Sequence, residues 1–215
     1  MRFLITAGPT REPIDPVRYL SNRSSGKMGY ALAEAALAGG HDVVLISGPV
    51  NLDPPKAAKL VPVSSSDEMF DAVHANVPNC DVMVMSAAVA DYKPANVAKH
   101  KIKKREGGLS LGLIPTRDIL ASLPAVGRKF LVVGFAAETD NIETNAIRKL
   151  REKNCDAIVA NDARTAMESD ENEVEIFFRD GEKKKISRAP KKIIARELVK
   201  FFENVCEKGL TKKIT

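Results

Sequence analysis

Two stretches of this chain hold residues whose types and spacing can do chemistry. The first is Ile5–Ala38 (ITAGPTREPIDPVRYLSNRSSGKMGYALAEAALA), where a loop holding Gly8, arginines, Asn22 and Ser24-Ser25-Gly26-Lys27 leads into a small-residue helix ending at Gly39-Gly40. A strand feeding a glycine- and serine-rich loop that opens a helix builds an anion site, because unpaired backbone N–H groups and the positive end of the helix dipole point at one place. This loop is far longer than a strand–helix connection needs, so it is expected to surround a ligand. The expectation is that a nucleotide triphosphate and an anionic carboxylate meet over it. The second stretch, Tyr92–Leu113, is polar and basic, contains Lys101–Lys104 (KIKK) and Gly107-Gly108, and has the composition of a lid.

Other chemistries fit less well. Ser21–Met28 nearly spells a Walker A loop, but Ser21 stands where the first glycine belongs and Met28 where a magnesium-binding hydroxyl belongs. The dinucleotide fingerprint also fails as a string, since only Gly26 and Gly29 are suitably placed. Tyr19, Tyr30 and Tyr92 have Arg, Glu and Asn four residues on, so no Tyr-x-x-x-Lys reductase motif exists. His41, His74 and His100 are scattered and are expected at the surface; no Ser-His-Asp arrangement stands out. Cys80, Cys155 and Cys206 form no Cys-x-x-Cys pair, which points to a reducing cytoplasm and against a disulfide frame or zinc site.

The elements that must position these residues follow from composition and patterning. The 215 residues are most simply one domain, 44% hydrophobic, 28% charged and 5% aromatic, as in a soluble α/β protein. No apolar run approaches the roughly 18 residues needed to cross a bilayer, and neither a signal peptide nor an anchor is read at Met1. A net charge of +5 admits a nucleic-acid partner, but the sparse aromatics are not interleaved with basic residues, so a basic pocket for phosphorylated small molecules is favoured.

Strands are expected at Phe3–Thr6, Asp42–Ile46, Lys59–Val63, Val82–Met85, Leu131–Gly134 and Ala157–Ala160. Helices are expected from a Ser66 cap and over Ile142–Lys153. Apolar strands alternating with helices predict a Rossmann-like, doubly wound, mostly parallel sheet. Glu173–Phe178, the Asp180-Gly181 turn and Lys183–Ile186 predict an antiparallel extension, followed by a helix from about Pro190 to Val205. Asn79-Cys80-Asp81 and Asn154-Cys155-Asp156 each precede an apolar strand, which suggests two similar strands delivering loops to one rim; both cysteines read as buried hydrophobes.

Taken in order, SNRSSGKMG around Asn22, Ala87–Tyr92 (AAVADY), Lys101–Lys104 (KIKK), Gly134–Thr139 (GFAAET) and Ala160-Asn161-Asp162 resemble phosphopantothenoylcysteine synthetases, the phosphopantothenate–cysteine ligases of coenzyme A biosynthesis. The likeness runs from Thr6 to the last helix and makes residues 1–215 one ligase domain with a mobile flap at about 92–113. It implies that CTP, with Mg2+, activates the carboxylate of 4′-phosphopantothenate as an acyl-cytidylate, releasing pyrophosphate, and that L-cysteine then displaces CMP.

The resemblance also assigns residues. Asn22 and Lys101 match the catalytic asparagine and flap lysine. Gly8, Thr10, Ser24, Ser86, Ala87, Asp91, Lys101, Asp118, Ile119, Phe135, Lys149 and Lys153 match nucleotide contacts, Asn22 and Ala88 match substrate contacts, and Arg18 is expected to clamp the phosphate of phosphopantothenate by its fork geometry. No metal ligand among the side chains is assigned. Alone, KIKK reads as a solvated edge strand and Lys149/Lys153 as a solvated helix face. The chain departs from the family at Arg117, where many relatives have proline. The family pattern further implies a homodimer, no nucleic-acid or membrane partner, and association with a phosphopantothenoylcysteine decarboxylase, this chain being a stand-alone ligase or an excised one. A nicotinamide- or flavin-binding reductase and a basic nucleic-acid module remain the rival readings.

Overall fold

The computed structural model describes residues 1–104, 106–166 and 169–208. In chain order the elements are β1 (Arg2–Ala7), β2 (Arg11–Pro13), β3 (Tyr19–Ser21), α1 (Lys27–Ala38), β4 (Asp42–Ser47), β5 (Lys59–Pro62), α2 (Ser66–Asn76) and β6 (Val82–Met85). They continue as β7 (Tyr92–Pro94), β8 (Leu113–Pro115), β9 (Leu131–Glu138), α3 (Ile142–Glu152), β10 (Ala157–Asp162), α4 (Ala163–Ala166), β11 (Glu171–Phe178), β12 (Lys183–Pro190) and α5 (Lys191–Glu207).

β1 is an interior strand of the main sheet, third from one edge in the order β12-β11-β10-β9-β6-β1-β4-β5. β10, β9, β6, β1, β4 and β5 are mutually parallel, while β11 and β12 add an antiparallel edge. Numbered along the chain, the parallel strands lie in the spatial order 3-2-1-4-5-6, the doubly wound arrangement of dinucleotide-binding folds. The sheet is covered on both faces, which is why its strands read as unbroken apolar runs. Phe3, Ile5, Val84 and Val133 pack with α1 and α5 on one face; Leu4, Met83 and Val132 pack with α2 and α3 on the other. Fully buried side chains such as Phe3, Leu32 and Phe202 each contribute roughly 1.5–3 kcal/mol.

Local chemistry sets the ends of the elements. Ser65, not Ser66, caps α2: its backbone is extended and its hydroxyl accepts from Glu68 N at 3.2 Å. Pro190 is likewise the residue before α5 rather than inside its first turn. The two Asn-Cys-Asp strings do the same work, because Asp81 accepts the Arg2 amide and Asp156 the Val132 amide, each at 2.7 Å, tying adjacent strand starts together. Cys80 and Cys155 are buried, and burial pushes both thiols up to about 12. His41 is half-buried, 2.5 Å from Glu203, and His74 stacks on Phe70, so only His100 is openly exposed.

Among its described residues, the link from β6 to β9 contains no helix. Ile119 and Leu123, from a series of turns, fill the core where one would pack. The rest of that link is the β7–β8 ribbon and the loop it carries, which form the flap; its residue 105, like residues 209–215, lies outside the described residues.

Candidate functional site

Doubly wound sheets bind ligands beyond the carboxyl ends of their strands, where the winding reverses. Here that point lies between β1 and β6, and the loops leaving the two strands pair with each other. Ala88 N donates to Gly8 O at 2.9 Å and Thr10 N donates to Ala88 O at 3.2 Å. Two buried hydroxyls hold the same turn, with Ala87 N on Thr6 Oγ1 at 3.1 Å and Ala90 N on Thr10 Oγ1 at 3.0 Å. Asn22 closes the set by donating its side-chain amide to Ala88 O at 2.9 Å. Each hydroxyl or amide therefore positions backbone at the switch point.

Three glycines shape the floor. Gly8, at the end of β1, has φ +76°, and Gly26, the cap of α1, has φ +77°. Gly29 lets α1 press on β1, since a Cβ there would lie 2.5 Å from Ala7 Cβ. Tight turn, close backbone approach to a phosphate and close helix–strand packing are the jobs of the three fingerprint glycines. All three positions are thus present, with residues 9–25 inserted between the first and second. That insertion hides the pattern from a motif search.

Along this rim runs a cleft of about 300 Å³. Asn22, Ser24, Ser86, Ala87, Ala88, Asp91, Phe135 and Lys149 line it, so eight of the residues assigned by resemblance meet in one place. Gly26–Gly29 also line it, with no side-chain cap on α1, so that the first-turn N–H groups are available to an anion. Lys27 and Lys191 join Lys149, giving three cations against one carboxylate in the lining, Asp91.

Two of these cations were not on the sequence-derived roster. Lys27 binds Asp170 at 2.6 Å and holds that carboxyl below its usual range. Lys191, mostly buried, donates to Ser169 O at 2.6 Å; burial first, and then the Lys27 charge, push its ammonium pKa down. Lys27 was visible inside the near-Walker string. Lys191 carried no signal, because it lies on the last helix, far along the chain.

The remaining assigned residues lie outside the lining. Gly8 and Thr10 sit behind it as supports. Lys153 binds Asp118; it lies one turn on from Lys149 of the lining, which binds Glu138 at 2.7 Å. Asp118 also accepts from Ala121 N at 3.0 Å, and Ile119 has its side chain in the core, leaving only backbone to offer a ligand. Arg18 is engaged elsewhere: it forks onto the buried Asp15 at 3.0 and 2.5 Å and donates to Ile102 O at 2.8 Å. Ile102 N returns a bond to Asp15 at 3.1 Å, and Ala98 N donates to Ile14 O at 3.0 Å, so the flap is docked on the 14–18 loop. Lys101, exposed, is the residue beside that latch.

The model of the DNA/pantothenate metabolism flavoprotein C-terminal domain matches residues 1–205. The chain is 48% identical over 200 residues to the coenzyme A biosynthesis bifunctional protein CoaBC of Bacillus subtilis (strain 168), covering 91% of this chain and 49% of that protein. It is 47% identical over 190 residues to the CoaBC of Escherichia coli (strain K12), covering 85% and 47%. The crystal structure of the C-terminal domain of a CoaBC superposes with a TM-score of 0.83 at 46% identity, covering 96% of each chain. This chain spans about half the length of the curated relatives it matches. Matched by that family's model over nearly all of its length, and by the fold of a solved relative over 96% of it, the chain belongs to the DNA/pantothenate metabolism flavoprotein C-terminal domain family.

Proposed function

We propose that this protein is the phosphopantothenate–cysteine ligase of coenzyme A biosynthesis. Its carboxylate substrate attacks the α-phosphate of CTP, pyrophosphate leaves, and the amine of L-cysteine then displaces CMP from the acyl-cytidylate. The observation that carries this reading is the cleft itself: uncapped helix N–H groups, three lysines and Asn22 converge where β1 and β6 diverge. Two anions repel, and a site that joins them must supply aligned donors and cations before it can do anything else.

The roles follow from position. The first turn of α1 and Lys27 take phosphate oxygens, while Phe135 offers an apolar face to the base and Lys149 a charge beside it. Asn22 has one amide N–H on Ala88 O, which leaves its second N–H and its carbonyl for the intermediate. A neutral donor can steady an acyl-nucleotidyl oxygen without trapping it. Lys101 adds an ammonium from the flap; about 4 Å from a phosphate oxygen, it contributes roughly 4 kcal/mol at an effective dielectric of ~20.

The chemistry of the lining fits a magnesium ion carried by the triphosphate. Among the described residues no three His, Cys, Asp or Glu side chains cluster to hold a metal, and Asp91 is the one carboxylate in the cleft. Mg2+ takes one or two carboxylates together with substrate phosphates and water. Bound there, it would neutralise charge on the phosphate oxygens.

A homodimer is part of the same proposal. Val17, Tyr19, Tyr92, Val97, Leu113 and Ile114 are exposed on the flap ribbon and the 17–21 segment, apolar side chains that a second copy of the chain would cover. The bifunctional nature of the matched relatives supports a phosphopantothenoylcysteine decarboxylase as the partner that consumes the product. Unbridged thiols support a cytoplasmic setting, and no helix among the described residues is long and apolar enough to cross a membrane.

The test is turnover of 4′-phosphopantothenate and L-cysteine with CTP and Mg2+, followed by pyrophosphate and CMP release, with ATP, NADPH and random DNA as comparison ligands in thermal shift. Product with CTP, and stabilisation by CTP with Mg2+ but not by NADPH or DNA, is expected. Absence of product together with NADPH binding would move the assignment to a reductase.

A further inference from the structure

The two legs of the flap ribbon share one anchor. Lys93, on the incoming strand β7, binds Asp67 in the first turn of α2. Arg117, just past the outgoing strand β8, donates from Nε to the same carboxylate at 3.1 Å and from Nη2 to the Asp67 carbonyl at 3.1 Å. Its remaining nitrogen, Nη1, lies 2.9 Å from Asp71 one turn further along α2. The guanidinium is also stacked 3.9 Å from the centre of the Phe70 ring.

Phe70 continues the link. It stacks on His74 at 4.1 Å, His74 contacts Ser122 Oγ at 3.1 Å, and Ser122 Oγ donates to Ile119 O at 2.6 Å. The outgoing leg is therefore clamped to α2 from Arg117 to Ser122. Inside the ribbon, Thr116 donates to Ala90 O at 2.6 Å and to Asp91 O at 2.9 Å, so the legs are tied to each other as well.

We propose that Asp67 is the pin at the root of the flap, a positioning residue that holds both legs on α2 so that Lys101 is presented from a fixed base. A proline at 117 would stiffen the backbone locally. Arginine instead ties the leg to a helix through two carboxylates and an aromatic face. A single exposed ion pair would do little. Asp67 is different because it joins two segments that leave the site in opposite directions, and both must hold for the flap to move as one body. The charges facing it are Lys93 and Arg117; Asp71 and Glu68 are the neighbouring acids on α2. Both partners favour the charged form of Asp67, which stays below the usual carboxylate range despite partial burial.

The inference rests on the ligase reading for the role of Lys101, but the pin itself is read without turnover. The experiment compares wild type with Asp67→Asn, Asp67→Glu and Arg117→Lys by amide hydrogen exchange over residues 95–112 and by steady-state kinetics. Asp67→Asn and Arg117→Lys are expected to raise exchange in that segment severalfold while α2 and the sheet keep their protection, and Asp67→Glu is expected to restore part of it. With a misplaced Lys101, kcat/KM for CTP falls roughly 10- to 100-fold, while KM for cysteine is unchanged. Unchanged exchange over 95–112 in Asp67→Asn overturns the pin. Raised exchange with an unchanged CTP rate upholds the pin and overturns the role given to Lys101.

Discussion

The side-chain amide of Asn22 lies 2.9 Å from the carbonyl oxygen of Ala88, so the loop leaving β1 and the loop leaving β6 are joined across the point where the sheet reverses its winding. Asn22 is thereby aimed at the cleft by the backbone that forms the opposite wall.

Asn22→Asp replaces the donor with an anion facing a carbonyl oxygen and the phosphates. Overall product formation is expected to fall by about 10²–10³-fold, the range for loss of one preorganised donor. Acyl-cytidylate is expected to accumulate, detectable by mass spectrometry before cysteine is added. Normal yield from this variant would remove Asn22 from the second half-reaction.

Lys101→Gln keeps a polar side chain, one atom shorter, and loses the charge. Pyrophosphate release is expected to slow by roughly 10²–10³-fold, corresponding to most of the ~4 kcal/mol of Coulomb attraction. Thermal stability is expected to stay at the wild-type value, because Lys101 is exposed. A wild-type rate of pyrophosphate release would return KIKK to a solvated segment.

Gly29→Ala tests the contact that seats α1 on β1. The new methyl would meet Ala7 Cβ at 2.5 Å and Thr6 O at 3.0 Å, both parts of β1. Overpacking of this kind costs about 1–3 kcal/mol, so a lower Tm is expected together with weaker CTP binding. An unchanged Tm would show that α1 can lift away freely.

Asp15→Asn tests the latch between the flap and the 14–18 loop. Asp15 accepts from Val17 N, Arg18 N, the Arg18 fork and Ile102 N, and the Arg18 guanidinium above all holds its carboxyl well below the usual range. A depressed folded pKa stabilises the protein above the unfolded value of about 3.9, and the contribution is lost as pH falls toward the folded value. The Tm gap between wild type and Asp15→Asn is therefore expected to be full near neutrality and to shrink below about pH 4. A gap that ignores pH would show that the carboxylate charge is irrelevant to the latch.

Much of this architecture was legible because parallel strands buried on both faces leave continuous apolar runs. FLIT, DVVLI and VMVM could hardly be anything else. β9 runs on to Glu138, past the expected end at Gly134, because its last residues are small or polar where it borders the cleft. The ribbons β2–β3 and β7–β8 were invisible, since three-residue strands leave no alternation to count. Within the site, Asn22 and the 86–91 turn were found by resemblance and by loop chemistry. Arg18 illustrates the opposite case: its type suits a phosphate, but only the fold shows that Asp15, three residues before it, already occupies the fork. Lys191 and the split glycine pattern are the other losses, both consequences of residues meeting in space across long sequence gaps.

Having the first strand in the interior of the sheet also orders assembly in time. Arg2 lies opposite Asp42, but Phe3 meets its other neighbour only at Val82. A chain growing at ~5–20 residues per second would thus carry one edge of β1 unpaired for about 2–8 seconds after β4 has emerged. During synthesis, the vulnerable surface of this protein is the very seam that later lies buried inside its sheet.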